Sequence, residues 1–405
     1  MVGTAFGLAT VCAAYEAGLL AVDGPQVLVV VATTAVPQDA TPLAEVEGVD
    51  VLLRRFDAVH DLNEALGPHH PRRWRPRTAE LRAWEGWLRR HWDLGDGDVT
   101  LLTESVAGEP AHALARVFAG APLEVYSDGL MSYGPSGALV PAQVGERVEQ
   151  LLHLDLVPGL VPVLHREWDV RTTVVPTDAL RTVVAQVAAA APRDVHRPTT
   201  ALVLGQYLAS DGLLTADAEI DLYAEMVRRC TDLGHARVVF KQHPSAPAGQ
   251  GEAVAAALGR QGLAVPGFVV ARRAVLAETW FARREVDLVV ACFSTALLTA
   301  ATAYGLPVAR LGTGPLRERL TPTSDLNRVP VLLVDAVVPD LATDGPGPLQ
   351  VPADLQGALD EVAADWAPLR RSGSAPGSGS EQRPGRPPAR PRPDGRDLRR
   401  PDAAA

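Results

Sequence analysis

The sequence predicts an α/β protein of two Rossmann-like domains, with mainly parallel sheets facing across a cleft. Three observations carry that reading. Short apolar runs alternate with helical segments, the pattern of strand–helix–strand units that pair in parallel. The 405 residues are enough for two domains of ordinary size. A polar, proline-bearing joint at residues 192–200 splits the alternation into two halves.

The chain opens on Gly3-Thr4-Ala5-Phe6-Gly7, a glycine-bearing loop, and continues as an apolar helix from about Leu8 to Leu20. No strand-length run precedes the loop, so a first strand is expected to be missing or the amino terminus truncated. Strands follow at Gln26–Ala32 and Val49–Leu53. Prolines break the pattern at residues 68–77, where Arg72, Arg73, Arg75 and Arg77 surround Trp74. A helix from Thr78 to His91 leads to strand Asp98–Thr103, with Glu104 at its end. Helix Pro110–Ala119 precedes strand Leu123–Tyr126, which stops at Ser127-Asp128-Gly129. Residues 140–175 read as less regular, and a helix runs from Thr177 to Ala191.

The second half begins with strand Ala201–Gln206. Thr215 caps a helix with acids in its first turn and Ile220, Tyr223 and Val227 at helical spacing. The apolar run Val238–Phe240 reads as a buried strand ending in Lys241-Gln242-His243-Pro244. Pro244 biases His243 toward extended backbone, so the chain leaves the sheet straight. A helix near 251–262 follows. Strand Asp287–Ala291 then runs through Cys292-Phe293 into Ser294-Thr295 and helix Ala296–Tyr304, which Gly305 and Pro307 terminate. Strands at 307–311 and 330–334 and a helix at 353–369 complete the half. The expected domains are 1–191 and 198–371. Residues 372–405, rich in Pro, Gly, Ser and Arg, are expected to form a disordered tail.

Hydrophobic residues at 47% and charged residues at 21% suit a globular protein, and a net charge of −10 argues against a general nucleic-acid binder. Cys12, Cys230 and Cys292 match no zinc spacing, which points to a reduced, cytoplasmic setting. No apolar run approaches the roughly 20 residues that span a bilayer, and no signal peptide is evident. Association with the inner face of the membrane through partners would leave no mark in such a sequence.

Three groups at strand ends carry candidate chemistry, because ligands bind at the carboxyl edge of open α/β sheets. Asp128, beside a glycine that lets the backbone bend, is a candidate base for an attacking hydroxyl; alone, Asp-Gly is more often a turn. His243 is a candidate for handing a proton or a stabilising charge to a departing phosphate, the plainer alternative being a structural histidine. Ser294 and Thr295 offer hydroxyls and free N–H groups at a helix start, where an anion fits and where a plain cap also fits. P-loop, nucleophile-elbow and acid-pair metal motifs are absent, so no cofactor and no metal is expected.

These motifs resemble those of the bacterial sialyltransferases, and most of all the α-2,8-polysialyltransferase family. That family carries an acid-acid-Gly motif, a His-Pro motif and a Ser-Ser or Ser-Thr motif. The counterparts are Ser127-Asp128-Gly129, His243-Pro244 and Ser294-Thr295, with likeness over most of residues 3–335. The first acidic position is Ser127 here. The resemblance implies a GT-B-like fold, CMP-sialic acid as donor and an inverting, metal-independent transfer. It casts Asp128 as base, His243 as partner of the leaving CMP, and Ser294 and Thr295 as phosphate ligands. Lys241, Pro244 and Gln206 join the donor side by position, and Glu104 the acceptor side. Arg72, Arg73, Arg75 and Arg77, with Trp74 as platform, suit a polyanionic glycan acceptor such as a capsule polysaccharide, or else form a solvated loop. Two alternatives stay open: a GT-B enzyme for another nucleotide sugar, and a catalytically silent nucleotide- or glycan-binding protein.

Overall fold

The structure is a computed structural model. It describes residues 1–371 apart from 22, 35–36, 38–40, 137–139, 194–199, 264, 272–273 and 321–325. The predicted tail and most of the predicted joint lie outside the described residues.

In the first half, α1 (Ala5–Glu16) starts at Thr4, whose hydroxyl caps the Gly7 amide. The helix is apolar on all sides and buried, as such a helix must be. β1 (Val27–Val30) follows. The strand expected at 49–53 is instead α2 (Asp50–Leu53), a single turn with Leu52 fully buried and an Asp50–Arg54 pair one turn apart. The strand comes later, as β2 (Ala58–Asp61), parallel to β1. A run as short as Val-Leu-Leu does not separate strand from buried helix by periodicity. Then come α3 (Leu62–Leu66), α4 (Leu81–His91), β3 (Leu101–Thr103), α5 (Ala111–Val117), β4 (Leu123–Ser127), α6 (Ala142–Gly145), β5 (Val148–Leu154), β6 (Arg171–Val175) and α7 (Thr177–Ala190). The stretch read as irregular thus holds two strands. Polar Gln150 disguises β5; it is buried and accepts a hydrogen bond from Arg171 of β6 at 2.6 Å.

The strand slot ahead of α1 is filled. Val2 forms a parallel bridge with Val30, and the Met1 amino group donates to Leu102 O at 2.6 Å. Met1 and Val2 therefore lie between β1 and β3 and join β2-β1 to β3-β4-β5-β6. Counting Val2 as the first strand, the order becomes 3-2-1-4-5-6-7, that of a dinucleotide-binding sheet.

The second half contains β7 (Thr200–Leu204), α8 (Ala216–Asp232), β8 (Arg237–Lys241), α9 (Gln250–Arg260), β9 (Phe268–Val270), α10 (Ala277–Ala282), β10 (Leu288–Ala291), α11 (Thr295–Tyr304), β11 (Val308–Arg310), α12 (Thr313–Arg319), α13 (Arg328–Val337) and α14 (Leu355–Arg371). Its strands run β11-β10-β7-β8-β9, all parallel, which is 3-2-1-4-5 in local order. Residues 330–334, expected as a strand, lie in α13. Pro330 sits in its first turn, where a missing N–H is harmless. Two Rossmann-like α/β units with parallel sheets, a GT-B-like architecture, are thus present. α7 packs on α1 and α2 and also on α10 and α11. Arg283 donates to Ala191 O and Pro192 O at its end.

Candidate active site

In both sheets the strand order reverses between the first and fourth local strands, and chemistry gathers there. In the first sheet those positions lead into Thr4 and Glu104, with Asp128 one strand further on. In the second they lead into Gln206 and Ser294, with Lys241 and His243 beside them.

Asp128 follows β4 and is half-buried. Burial raises its carboxyl to about 6, against a hydrogen bond from Thr4 Oγ1 at 3.5 Å that lowers it. Ser127, in the first acidic position of the motif, is buried at the end of β4. Gly129 departs from expectation. Its backbone is extended, with φ −142° and ψ −176°, open to any residue. The need for glycine is steric: a Cβ there would lie 3.0 Å from Thr295 Oγ1.

Glu104 follows β3, whose Thr103 pairs with Val125 of β4, so its backbone aligns with Tyr126, two residues before Asp128. The Asp128 charge, and then burial of the carboxyl, raise Glu104 to about 8, though much of the residue's remaining surface is exposed. Two carboxyls that repel in this way share a proton at neutral pH.

Across the cleft, His243 accepts the Ser245 amide at Nδ1, 3.0 Å away, and its ring lies 4.7 Å from that of Tyr207. That bond leaves the proton of the neutral ring on Nε2. Burial, and then the Lys241 charge, lower His243 to about 4. The protonated imidazole anticipated from sequence is therefore neutral in the ligand-free protein, a donor through Nε2 alone. Lys241 ends β8. Burial lowers its pKa, while Glu278 opposes the shift. Glu278, buried in the first turn of α10, is raised by burial to about 7. Glu104 and Arg72 both act on Tyr207, and Asp128 acts on Glu278. These influences close a ring from Asp128 through Glu104, Tyr207, His243, Lys241 and Glu278 back to Asp128.

Ser294 caps α11 by accepting the Ala296 amide at 3.3 Å. Thr295 Oγ1 accepts the Leu130 amide at 3.2 Å, directly across the cleft. Gln206 is tied to the scaffold: its Oε1 accepts the Phe293 amide at 3.0 Å, its backbone N–H donates to the Tyr223 hydroxyl, and its backbone carbonyl accepts from the Gln250 side chain. Its side-chain oxygen thus fixes the backbone just ahead of Ser294. Pro244 is exposed beside His243.

The basic segment is only partly available. Trp74 is 3% exposed and packs edge-on against Trp84 at 5.1 Å, inside a cluster with Leu62, Leu66 and Leu88. It is core, not platform; the apolar neighbours that bury it lie outside the motif that drew attention to it. Arg77 pairs with Glu80, and Arg75 approaches Glu109 at 3.5 Å. Arg72 and Arg73 are exposed and make no ion pair among the described residues. No group of three or more His, Cys, Asp or Glu among the described residues is arranged to hold a metal, and no described helix is long and apolar enough to cross a membrane.

Sequence reasoning passed over Thr4, Tyr207 and Glu278. Thr4 had a signal, a hydroxyl residue directly before a helix. Tyr207 had one too, directly after Gln206 at a strand end. Glu278 had none.

The family model of alpha-2,8-polysialyltransferase matches residues 1–313. No curated protein matches the chain. Among solved structures, the S. aureus MnaA–UDP co-structure is similar at 14% identity over 90% of this chain and 89% of that one, with a TM-score of 0.45. Acinetobacter baumannii MurG gives 14% over 92% and 93%, at 0.39. A Thermobaculum terrenum O-GlcNAc transferase mutant gives 14% over 85% of this chain, at 0.32, and the chain spans 57% of that protein.

Proposed function

The chain belongs to the alpha-2,8-polysialyltransferase family, and from that membership we propose that it transfers sialic acid from CMP-sialic acid to a hydroxyl of a sialylated surface glycan, with inversion and without a metal. What supports the reading is one relationship. A carboxylate with its pKa raised toward neutrality, Asp128, ends a strand of the first sheet, and the turn that follows it bonds Thr295 at the end of the second sheet where Ser294, Lys241 and His243 also lie past strand ends.

The steps follow from those groups. Ionised Asp128 takes the proton of the acceptor hydroxyl. The freed oxygen bonds to the anomeric carbon of the donor as the bond from that carbon to the phosphate oxygen breaks, and its electron pair leaves with CMP. The transition state is oxocarbenium-like, so charge grows on the departing phosphate. His243 Nε2–H, the Lys241 ammonium and the Ser294 hydroxyl are fixed donors for that charge. Arg72, whose charge acts on Tyr207, and Arg73 are exposed and meet a polyanionic acceptor on this reading. The same proposal assigns the reaction to the cytoplasm.

The test is incubation of the purified protein with CMP-sialic acid and a sialylated oligosaccharide, following CMP release and chain extension. Asp128→Ala and His243→Ala are each expected to lose about 10²-fold or more. UDP- and GDP-sugars are expected to release no nucleotide. Release from those sugars, or none from CMP-sialic acid, overturns the proposal.

A further inference from the structure

We infer that Thr295 is a positioning residue, which holds the Asp128-bearing turn in place from the opposite sheet. The inference deepens the transfer reading and rests on it for the role of Asp128.

The turn Leu130–Tyr133 closes largely on itself. Ser132 donates to Gly129 O through its amide at 3.1 Å and its hydroxyl at 3.0 Å, and the Gly134 amide donates to Met131 O at 3.1 Å. The Leu130 amide instead reaches across the cleft to Thr295 Oγ1 at 3.2 Å. Leu130 lies two residues after Asp128, so the contact bears on the backbone that aims the carboxylate. The glycine between them leaves room for it, since a Cβ on Gly129 would come 3.0 Å from the same oxygen. α13 packs on the turn as well, so two elements of the second half bracket it. A helix-start residue with no further task would not need a hydroxyl at this point, because Ser294 already supplies the cap. A threonine hydroxyl has two lone pairs and one proton. Accepting from Leu130 leaves that proton for a donor phosphate, so the two roles are compatible.

The experiment is amide exchange of the ligand-free protein, which needs no substrate. Thr295→Val keeps the shape and removes the acceptor. It is expected to speed exchange at Leu130 about 10-fold or more, while Thr295→Ser stays within about 3-fold of wild type. Gly129→Ala, which presses on the same oxygen from the other side, is expected to speed exchange there too and serves if the valine variant does not fold. Unchanged exchange at Leu130 in Thr295→Val and Gly129→Ala overturns the inference. In transfer assays Thr295→Val is expected to lower kcat about 10-fold or more, whatever the change in donor KM, and serine to restore it. A raised KM with unchanged kcat would mark Thr295 as a phosphate ligand only, and also overturns it. If wild type transfers nothing from CMP-sialic acid, the donor assignment fails while the exchange result still decides the contact.

Discussion

Oγ1 of Thr4 lies 3.5 Å from Oδ2 of Asp128, and the same oxygen accepts the Gly7 amide at 2.9 Å. A loop at the start of the chain thus supports a carboxylate more than a hundred residues later. Accepting the amide leaves the hydroxyl proton available to point at Asp128.

Thr4→Val removes that support. The bond lowers the Asp128 pKa, so its loss raises it and fewer molecules hold the ionised base at a given pH. The rising limb of kcat/KM, expected near pH 6 in the wild type, should move to higher pH. Loss of the helix cap should also cost about 1 kcal/mol of stability. A pH–rate profile and a urea melt measure the two effects separately. An unmoved limb would contradict the first.

Gly7→Ala should disable the enzyme by a different route. A Cβ there would come within 2.9 Å of the Tyr126 hydroxyl and 3.2 Å of Asp128 Oδ2. One of the two must shift, and a base displaced by even a fraction of an ångström loses about 10-fold or more in rate. Alanine is a good helix residue, so the melting temperature should change little. Activity and melting measured on the same sample decide this.

Three carboxyls set a pH dependence of stability. Glu104, Glu278 and Asp128 all have raised pKa values in the fold, about 8, 7 and 6, against 4.5, 4.5 and 3.8 when free. Over that interval the folded protein holds protons on these three groups that the unfolded chain has released, so their contribution to stability falls as pH rises from about 4 to about 8, while His243, lowered to about 4, and the Met1 amino group, lowered to about 5, contribute in the opposite sense. Glu104→Gln should remove the Glu104 share, so wild type should lose stability relative to the variant as pH rises from about 4.5 to about 8. Denaturant midpoints collected from pH 4 to pH 9 test this. Coincident curves for the two proteins would contradict the assignment.

Trp74→Ala should cost about 3 kcal/mol or more, because it empties a large buried site. Trp74→Phe should cost less and keep affinity for a long anionic acceptor. Arg72→Glu with Arg73→Glu should do the reverse, with normal melting and weakened binding that salt mimics in the wild type. Acceptor titrations at two ionic strengths separate these outcomes.

His243 should titrate with a midpoint near 4 by NMR in the free protein and shift upward when CMP is added, since a phosphate favours the charged ring. A midpoint near the ordinary histidine value would mean the ring is more solvated than described.

The second sheet is largely legible in sequence, because runs such as Val238–Phe240 and Leu288–Ala291 are buried on both faces and read as continuous apolar strands. The first sheet is harder. β5 carries polar Gln150, whose side chain is satisfied by Arg171 and Leu19, distant in sequence, and buried His153, which bonds the neighbouring Leu154 carbonyl, and Val2 makes a strand of a single bridge. In the site, Asp128, His243 and Ser294 stand out because each lies just past a strand end. The tasks of Gly129 and Thr295 do not, since each is defined by the other across the cleft. Trp74 looks exposed among arginines because sequence does not display the Trp84 ring packed against it.

α14 starts in the second half and fastens on the first. Its Gln356 accepts the Val161 amide at 2.8 Å, and its Asp360 pairs with Arg166 at 2.6 Å. A chain stopped ahead of Leu355 would keep Asp128, His243, Ser294 and Thr295 and lose this clasp together with the buried Leu359 that α14 packs on the core. Such a shortened protein would carry a full set of reacting groups on two lobes with poorer registration, so intact chemistry need not mean intact turnover.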